Sequence, residues 1–403
     1  MKYQRCVTER VHRQTVASVN GVAVGVAGFS VMNHKDCQKS VSVRNIAIAA
    51  ALVAGCASAF AGIAGATYST MIVAGAPPDS PGARVDANLP TSPFSGVVSI
   101  NIRYSNGDSF ICSGTLVSKR DVISAGHCVD SDGGGHVIDI TQPGNDVRVV
   151  FNSQPNPGDP GRAIITADKV SLNPKYQGFG NCPTGVPGFC VNDDISVIHM
   201  NADAPATAKI YSVWRGPIDT GQHDTLVGYG LSGDGYNGYT VGPSFRIKRQ
   251  GENIVDLFET DDESNFSASS AKEVWYSDFD GIDRSGVLQD SFCTYFSVCT
   301  LILANDKETN LGGGDSGGPS FLNLFGTNVL FGNNTFGGTL FAGDVPGTFG
   351  TFFGGILLDA YVPFLTSATD GRIDFGPEPG SGALLALGLL AAGASLRRRQ
   401  SKG

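Results

Sequence analysis

The stretch GGGDSGGP, residues 312–319, decides how the rest of this 403-residue chain is interpreted. Ser316 stands in a run of glycines and directly follows a carboxylate, Asp315. Glycine adopts backbone conformations that other residues resist, and it lets a substrate approach the main chain closely. The stretch therefore predicts a tight turn that presents a nucleophilic serine. Such a serine needs a base that activates it, which another part of the chain must supply.

The composition favours a loop-rich β protein. Charged residues make up only 16% of the chain, and glycine is abundant at 54 residues. Short β-forming segments recur between glycine, asparagine and proline, and none with a helical period exceeds two turns before the C-terminal region. The formal net charge of -9 argues against a nucleic-acid partner, because phosphate binding needs a basic stripe. We expect no cofactor, since no nucleotide-binding glycine motif stands out.

The cysteines indicate disulfides rather than a metal site. Of nine cysteines, the first three fall in a region that we expect to be removed. The remaining six form three pairs that are close in sequence, as in exported proteins, and they lack the CxxC or Cys/His clusters of metal sites. Residues 130–134 (DSDGG) begin like a calcium loop but lack the later ligands. The sequence therefore predicts no metal.

The N-terminal region has the features of an export signal. Residues 46–61 are small and apolar and end in Ala-Phe-Ala, which is typical of a secretory segment with its cleavage site. A start at Met32 would shorten the unusually long leader. A competing interpretation makes Cys56 the acylated residue of a lipoprotein signal. We expect residues 1–61 to be an export signal region that a signal peptidase removes.

The C-terminal region, residues 376–403, contains Pro377-Glu378-Pro379, then an apolar run, then Arg397-Arg398-Arg399. This order resembles the PEP-CTERM sorting signal of Gram-negative bacteria. The resemblance implies transient membrane association through the C-terminal segment, with the arginines on the cytoplasmic side, and cleavage by an exosortase. It also implies an exported protein of the periplasm, cell surface or extracellular matrix of a Gram-negative bacterium.

Two further blocks accompany the serine stretch. The first is CSGTLVS at residues 112–118 followed by VISAGHC at 122–128, and the second is NPKY at 173–176 followed by NDDISVI at 192–198. Together the three blocks resemble those of the chymotrypsin/trypsin-like (S1-type) serine proteases, in the same order along the chain. The resemblance implies an all-β fold of two packed six-stranded antiparallel barrels, with the active site between them.

The same resemblance implies a role for each catalytic residue. Ser316 would be the nucleophile, His127 its base, and Asp194 the carboxylate that orients the histidine. Asp193 is a second candidate for that carboxylate, since it stands where asparagine is usual. The backbone N–H groups of Gly314 and Ser316 would form the oxyanion hole, and the substrate would be a polypeptide.

The family is activated by cleavage that creates a new N-terminal ammonium group, which pairs with the carboxylate beside the nucleophile. Asp315 is that carboxylate here. Val85 is the predicted new terminus, because Arg84 precedes it and it lies at a suitable distance from the first strand. The alternative is Ile72, since the sequence IVAG at residues 72–75 is more similar to the usual start of the mature enzymes.

The predicted substrate pocket departs from the family pattern. Its base is Asn310, six residues before the nucleophile, and its wall is Thr335-Phe336-Gly337. A neutral base argues against selection of lysine or arginine, so we expect neutral or small side chains before the scissile bond. Gly312 stands where the family has a cysteine, so the disulfide that usually braces this pocket is missing.

The resemblance also covers the disulfides. The family pairs Cys112 with Cys128, which bracket the histidine. We expect Cys182 and Cys190 to close a local loop, and Cys293 and Cys299 to brace the approach to the pocket.

The predicted organisation has five parts: the export region, a linker or propeptide (62–84), an N-terminal barrel (85–215), a C-terminal barrel (216–375) with an insertion near 232–290, and the sorting signal. The leading hypothesis is a secreted or surface-sorted serine endopeptidase that is made as a zymogen. The alternative is a catalytically silent surface or matrix-binding protein on the same fold, with the insertion as its binding element.

Overall fold

The structure is a computed structural model, and it describes residues 66–69, 72–152 and 162–376. The predicted export region and all but the first residue of the predicted sorting signal lie outside these residues. Among the described residues, no helix has the length and apolar character needed to cross a membrane.

The described residues form eighteen strands, two short α-helices and one 3-10 turn. The strands are β1 (Thr67–Ser69), β2 (Val97–Arg103), β3 (Ser109–Leu116), β4 (Asp121–Ser124), β5 (Asp146–Asn152), β6 (Arg162–Leu172), β7 (Ser196–Met200), β8 (Gln222–Gly228), β9 (Ser232–Asp234), β10 (Gly238–Val241), β11 (Arg249–Val255), β12 (Leu257–Thr260), β13 (Lys272–Asp278), β14 (Gly281–Ile282), β15 (Leu288–Gln289), β16 (Pro319–Leu324), β17 (Thr327–Thr339) and β18 (Phe352–Leu357). The helices are α1 (Ser291–Phe296) and α2 (Val362–Ala368), and the 3-10 turn spans Leu358–Tyr361.

The N-terminal half is a closed antiparallel barrel with the strand order β2-β3-β4-β7-β6-β5. Side chains alternate between the two faces of a strand, so every second residue points to the same side. Val98, Ile100 and Ile102 of β2 follow this rule, and all three are fully buried in the barrel core. The six-stranded barrel predicted for this half is confirmed.

The C-terminal half is one antiparallel sheet, in which seven strands follow the order β11-β8-β16-β17-β18-β13-β12 and β1 pairs with β17. It therefore has eight strands. Trp275 of β13, Phe331 of β17 and Phe353 of β18 pack together in its core. The all-β, chymotrypsin-like class is confirmed, whereas this half carries more strands than the six that the resemblance implied.

The range predicted as a surface insertion, residues 232–290, supplies three strands of that sheet, β11, β12 and β13. Their side chains Val255 and Trp275 are fully buried. The prediction missed them because polar segments on both sides mask short strands whose partners are distant in sequence. The range is thus largely part of the fold.

One apolar cluster joins the two halves. Val191 and Ile195 of the N-terminal half lie in the same buried cluster as Val227, Tyr229 and Phe336 of the C-terminal half. Shared burial of this kind holds the halves in a defined relative position, because separating them would expose the apolar side chains to water. Both predicted catalytic turns lie beside this junction.

Candidate active site

The strand register brings His127 and Asp194 together. Strands β4 and β7 pair antiparallel with Ser124 opposite Ser196, so the turn after β4 and the turn before β7 lie at the same end of the barrel. His127 Nδ1 lies 2.7 Å from Asp194 Oδ2, and the His127 backbone N–H donates to Asp194 Oδ1 at 2.7 Å. The Asp194 side chain is fully buried, and 16% of the His127 side chain is exposed. One carboxylate thus holds both the ring and the backbone of the histidine.

The surroundings of this pair leave little spare room. A Cβ atom on Gly126 would lie 3.0 Å from Asp194 Oδ1 and 3.1 Å from the backbone nitrogen of Ile195, which is tighter than nearly all real contacts. Glycine at position 126 therefore leaves room for the carboxylate. On the ring of His127, Phe179 packs edge-on with the ring centroids 5.5 Å apart.

Asp193, the second candidate, is bound by Asn173 and Tyr361. Its φ angle of 62° is left-handed, and its carboxylate accepts a hydrogen bond from Asn173 Nδ2 at 2.9 Å. Its backbone N–H donates to the Tyr361 hydroxyl at 3.0 Å. Burial, together with the nearby Glu273 and other carboxylates, raises the pKa of Asp193 to about 8. The geometry favours Asp194 as the partner of His127.

All three predicted disulfides form. Cys112 bonds Cys128, Cys182 bonds Cys190, and Cys293 bonds Cys299. The first links β3 to the residue after His127. Since its sequence separation is 16 residues, closure of this loop is worth about 3 kcal/mol in the chain-entropy account.

The Ser316 loop packs against the segment that leads to His127. The Ser113 backbone N–H donates to the carbonyl of Ser316, and the Ser113 hydroxyl donates to the carbonyl of Gly314, both at 2.8 Å. Gly317 has φ = 80°, and a Cβ there would lie 2.2 Å from Ser124 Oγ. Only glycine allows this approach. The loop and the histidine turn, far apart in sequence, therefore meet at the junction of the two halves.

The two predicted oxyanion donors are free of intramolecular acceptors in the described part of the chain. Gly314 has φ = 101°, which turns its peptide in a direction that other residues resist. Within the described residues, neither the Gly314 N–H nor the Ser316 N–H donates a hydrogen bond. Both groups could bind a negatively charged oxygen.

Asp315 is completely buried behind this loop. Its carboxylate accepts hydrogen bonds from the backbone N–H groups of Gly230 and Gly312, each at 2.7 Å, and from the backbone N–H of Ile72. Burial raises the pKa of Asp315 well above its usual value, against the weaker opposing effects of the Gly230 hydrogen bond and the Arg249 charge. One buried carboxyl group thus binds the backbone of three separate segments.

Val85, the predicted partner of Asp315, lies elsewhere. It is 42% exposed, and its backbone N–H donates to the carbonyl of Gly82 at 3.4 Å. The arginine before it, Arg84, forms an ion pair with Asp79 at 2.7 Å. Ile72, the alternative terminus, is instead the residue whose backbone N–H donates to Asp315. The basic residue that favoured Val85 serves the fold instead.

The predicted linker, residues 62–84, is not a simple linker where it is described. Ile72 and Val73 are 1% and 0% exposed. Val73 and Asn310 form a β-bridge, in which the Val73 N–H donates to the Asn310 carbonyl at 2.6 Å. Apolar residues that pack this way become part of the C-terminal half.

The predicted pocket residues lie close to that bridge and along β17. Asn310 is 1% exposed, and its Nδ2 donates to Thr351 Oγ1 at 2.8 Å. Thr335, Phe336 and Gly337 all belong to β17 and are buried. The side-chain amide of Asn310, the predicted floor of the pocket, is thus hydrogen-bonded to Thr351.

A strand of the chain itself covers part of this wall. β1 pairs antiparallel with the end of β17, with Ser69 opposite Gly337 and Tyr68 opposite Gly338. The Tyr68 ring stacks on Phe189 at 4.6 Å between centroids and meets Phe336 edge-on at 5.7 Å. Strand β1 (Thr67–Ser69) therefore lies against the segment that the resemblance assigns to the wall of the substrate pocket.

The fold and these contacts agree with a comparison against known families. Residues 83–242 match the trypsin family model. The match includes His127 and Asp194 of the trypsin-like domain and ends before the Ser316 loop. It supports a relation to the trypsin-like serine proteases. A search of curated proteins finds no match to this chain.

Two features of the site were not foreseen. One is Phe179 against the His127 ring, and the other is the pairing of β1 with β17. Neither has a signal in the sequence, because each contact joins a loop to residues that only the folded chain brings near. The Ile72 contact does have a signal in the sequence, the IVAG motif at residues 72–75. Val85 was nevertheless the predicted terminus, because Arg84 precedes it.

Proposed function

We propose that this chain is a serine endopeptidase in which Ser316, His127 and Asp194 form the catalytic triad. The observation that carries the proposal is the 2.7 Å contact between His127 Nδ1 and a fully buried Asp194. A buried carboxylate against one ring nitrogen fixes the tautomer that leaves the other nitrogen free to accept a proton. The trypsin match over residues 83–242 supports the same reaction class.

The chemistry follows from these groups. As the Ser316 hydroxyl attacks a peptide carbonyl, His127 accepts its proton, and Asp194 stabilises the imidazolium that forms. The oxyanion of the tetrahedral intermediate accepts hydrogen bonds from the Gly314 and Ser316 N–H groups. His127 then protonates the leaving amine. In the second half of the reaction, His127 accepts a proton from the water that attacks the acyl-enzyme and returns it to the Ser316 oxygen as the acid product leaves.

A fluorophosphonate probe tests this proposal, because it labels only an activated serine. The purified protein, cleaved before Ile72, should be labelled, and Ser316→Ala should not. Asp194→Asn should lower kcat/KM for a peptide substrate about 10⁴-fold, the loss typical of this change in a Ser–His–Asp triad. Asp193→Asn is the matched control and should retain most activity. An unlabelled, correctly cleaved protein would instead favour the silent binding protein.

We also propose activation by cleavage of the peptide bond before Ile72. The hydrogen bond from the Ile72 nitrogen to the buried carboxylate of Asp315 supports this position. Burial raises the pKa of Asp315 more than its other partners, Gly230 and Arg249, lower it. Cleavage would convert a peptide N–H into an ammonium group, whose charge favours the ionised carboxylate and so steadies the Ser316 loop.

Two engineered chains distinguish the possible activation sites. In one, an Asp-Asp-Asp-Asp-Lys sequence precedes Ile72, and in the other it precedes Val85, so that enteropeptidase frees one terminus or the other. Probe labelling should appear only after cleavage before Ile72. Labelling that follows cleavage before Val85 alone would show that the activation site is wrong while leaving the triad intact.

Export and sorting complete the proposal. Three disulfides are consistent with an oxidising compartment. We propose removal of residues 1–61 by a signal peptidase and processing of the PEP motif by an exosortase in a Gram-negative host. Mass spectrometry of the protein recovered from such cells should find neither segment. Retention of the C-terminal arginines would contradict the sorting step.

A further inference from the structure

A group of buried carboxylates lies where β13 ends, on residues that the proposed triad does not use. One oxygen from each of Asp278, Asp280 and Asp290 lies within 4.8 Å of the others. Asp278 and Asp280 are only 2% and 4% exposed. The negative charges of Asp256 and Glu308, which are also buried, act on Asp280 as well. We call these five residues the acidic cluster.

The acidic cluster has no cationic side chain of its own. Within the described residues, none of its members forms an ion pair with a lysine, arginine or histidine. Burying several like charges without a counter-charge is strongly unfavourable, so these carboxyl groups must either bind protons or share a cation.

One oxygen points independently to a ligand. Asp280 Oδ1 is fully buried and, within the described residues, accepts no hydrogen bond. Its neighbours are held by the fold: Asp278 Oδ2 accepts from the backbone N–H of Phe292 at 2.7 Å, and Asp290 Oδ1 accepts from that of Cys293 at 2.9 Å. The backbone N–H groups at the start of α1 therefore hold the carboxylates of Asp278 and Asp290 close to that of Asp280. Within the described residues, Asp280 Oδ1 has no hydrogen-bond partner.

We propose that Asp278, Asp280 and Asp290 bind a divalent cation, and that the cation is Ca²⁺. Calcium takes oxygen ligands at 2.3–2.6 Å, so oxygens bound to one ion lie within about 5 Å of each other, as these do. Zinc prefers nitrogen and sulfur ligands, which are absent from the acidic cluster, and Mg²⁺ demands a stricter octahedron. Asp290 also lines an open cavity of about 460 Å³, which gives the ion and its waters a route from solvent.

The ion would brace the wall of the predicted pocket. Phe279 lies between Asp278 and Asp280 in the sequence. Its N–H donates to the carbonyl of Thr351 and its carbonyl accepts from the N–H of Gly350, both at 2.8 Å. Thr351 in turn accepts from Asn310 at 2.8 Å. A cation at the acidic cluster thus ties α1 and β13 to the base of the pocket. The chain lacks a cysteine at Gly312 that would otherwise brace this region.

A second acidic group provides a contrast. Oxygens of Asp193, Asp262 and Glu263 also lie within 4.8 Å of one another. Lys175 Nζ, however, lies 2.5 Å from Glu263 Oε2, so this group already contains a positive charge. The loop at residues 130–134 uses its carboxylates on its own backbone N–H groups. Both places serve as controls.

Calcium titration of the EDTA-treated full chain tests the proposal by calorimetry and thermal unfolding. One Ca²⁺ should bind per chain, and about 5 mM Ca²⁺ should raise Tm by about 5 °C, whereas Mg²⁺ should raise it less. Asp280→Asn should weaken binding at least about tenfold and abolish the Tm rise. Without calcium, this variant should be at least as stable as the wild type, because it removes a buried carboxyl group that has no counter-charge and whose Oδ1 has no hydrogen-bond partner within the described residues.

Asp290→Asn is the second variant, since asparagine still caps α1 while the charge is lost. It should also weaken binding at least about tenfold and decides the matter if Asp280→Asn does not fold. The controls Asp262→Asn and Asp132→Asn should bind as the wild type does. A wild type without any calcium effect overturns the proposal. So does an effect that a control variant abolishes while Asp280→Asn and Asp290→Asn retain it.

Discussion

The backbone nitrogen of Ile72 donates a hydrogen bond to the buried carboxylate of Asp315, although 243 positions separate them. The same carboxylate holds Gly312, at the start of the Ser316 loop, by a 2.7 Å hydrogen bond. A change at the Ile72 nitrogen therefore acts on the loop that presents the nucleophile and the oxyanion donors.

Asp315→Asn should affect the cleaved protein far more than the precursor. After cleavage before Ile72, the variant loses the partner of a buried ammonium group, so kcat/KM should fall about 10²-fold or more as the oxyanion donors lose their arrangement. Tm should fall in the cleaved form and change little in the precursor, where burial already raises the pKa of Asp315. Equal Tm losses in both forms would show that no ammonium pair exists.

The stability of the protein should depend on pH through Asp193. Burial and neighbouring carboxylates raise the pKa of this group to about 8, against about 4 in an unfolded chain. Between these values the folded state binds more protons than the unfolded state, so this contribution to stability falls as pH rises from about 4 to about 8. Tm of Asp193→Asn relative to wild type should therefore rise across that range. A difference that stays constant with pH would contradict the raised pKa.

Gly317→Ala should be more destabilising than Gly286→Ala, although both glycines have φ = 80°. At Gly286 a Cβ meets nothing within 4 Å, so only the left-handed backbone is strained, at a cost of about 1–2 kcal/mol. At Gly317 the Cβ would lie 2.2 Å from Ser124 Oγ, and such overpacking adds about 1–3 kcal/mol. Denaturant unfolding of both variants measures the difference. Equal losses would mean that the Ser316 loop does not pack against β4 as described.

A peptide with the sequence of residues 62–71 should inhibit the cleaved enzyme, because β1 pairs with β17 beside Gly337. Tyr68 supplies ring contacts with Phe189 and Phe336, and aromatic pairs of this kind contribute beyond their buried area. Tyr68→Ala in the peptide should therefore raise the inhibition constant about tenfold or more, measured with a peptide substrate. A matched Thr67→Ala peptide, changed at an exposed position, should inhibit as well as the parent. Equal inhibition by all three peptides would argue against a specific site for Tyr68.

Much of the catalytic site follows from short motifs. His127 and Asp194 each lie in a short block of sequence that can be recognised without knowing the fold. The glycines around Ser316 predict a tight turn. The six-stranded N-terminal barrel was implied by the resemblance that these motifs carry, and the structure confirms it.

The C-terminal half was harder to predict, because its sheet pairs segments that are distant in sequence. β13 pairs with β18, with Trp275 opposite Gly355, and no local pattern reveals that partner. The polar surroundings of β11 and β13 made a surface insertion the natural interpretation. Strand pairing and burial, which act across the chain, decided otherwise.

The sequence by itself determined the chemical groups: a serine among glycines, a histidine and an aspartate in the expected order, and six cysteines in close pairs. Only the tertiary structure decided which nitrogen reaches Asp315, which strand covers the wall at Gly337, and which carboxylates are buried together without a counter-charge. The physical reason is that motifs record local backbone requirements. Burial, charge compensation and strand pairing, in contrast, depend on residues that become neighbours only when the chain has folded.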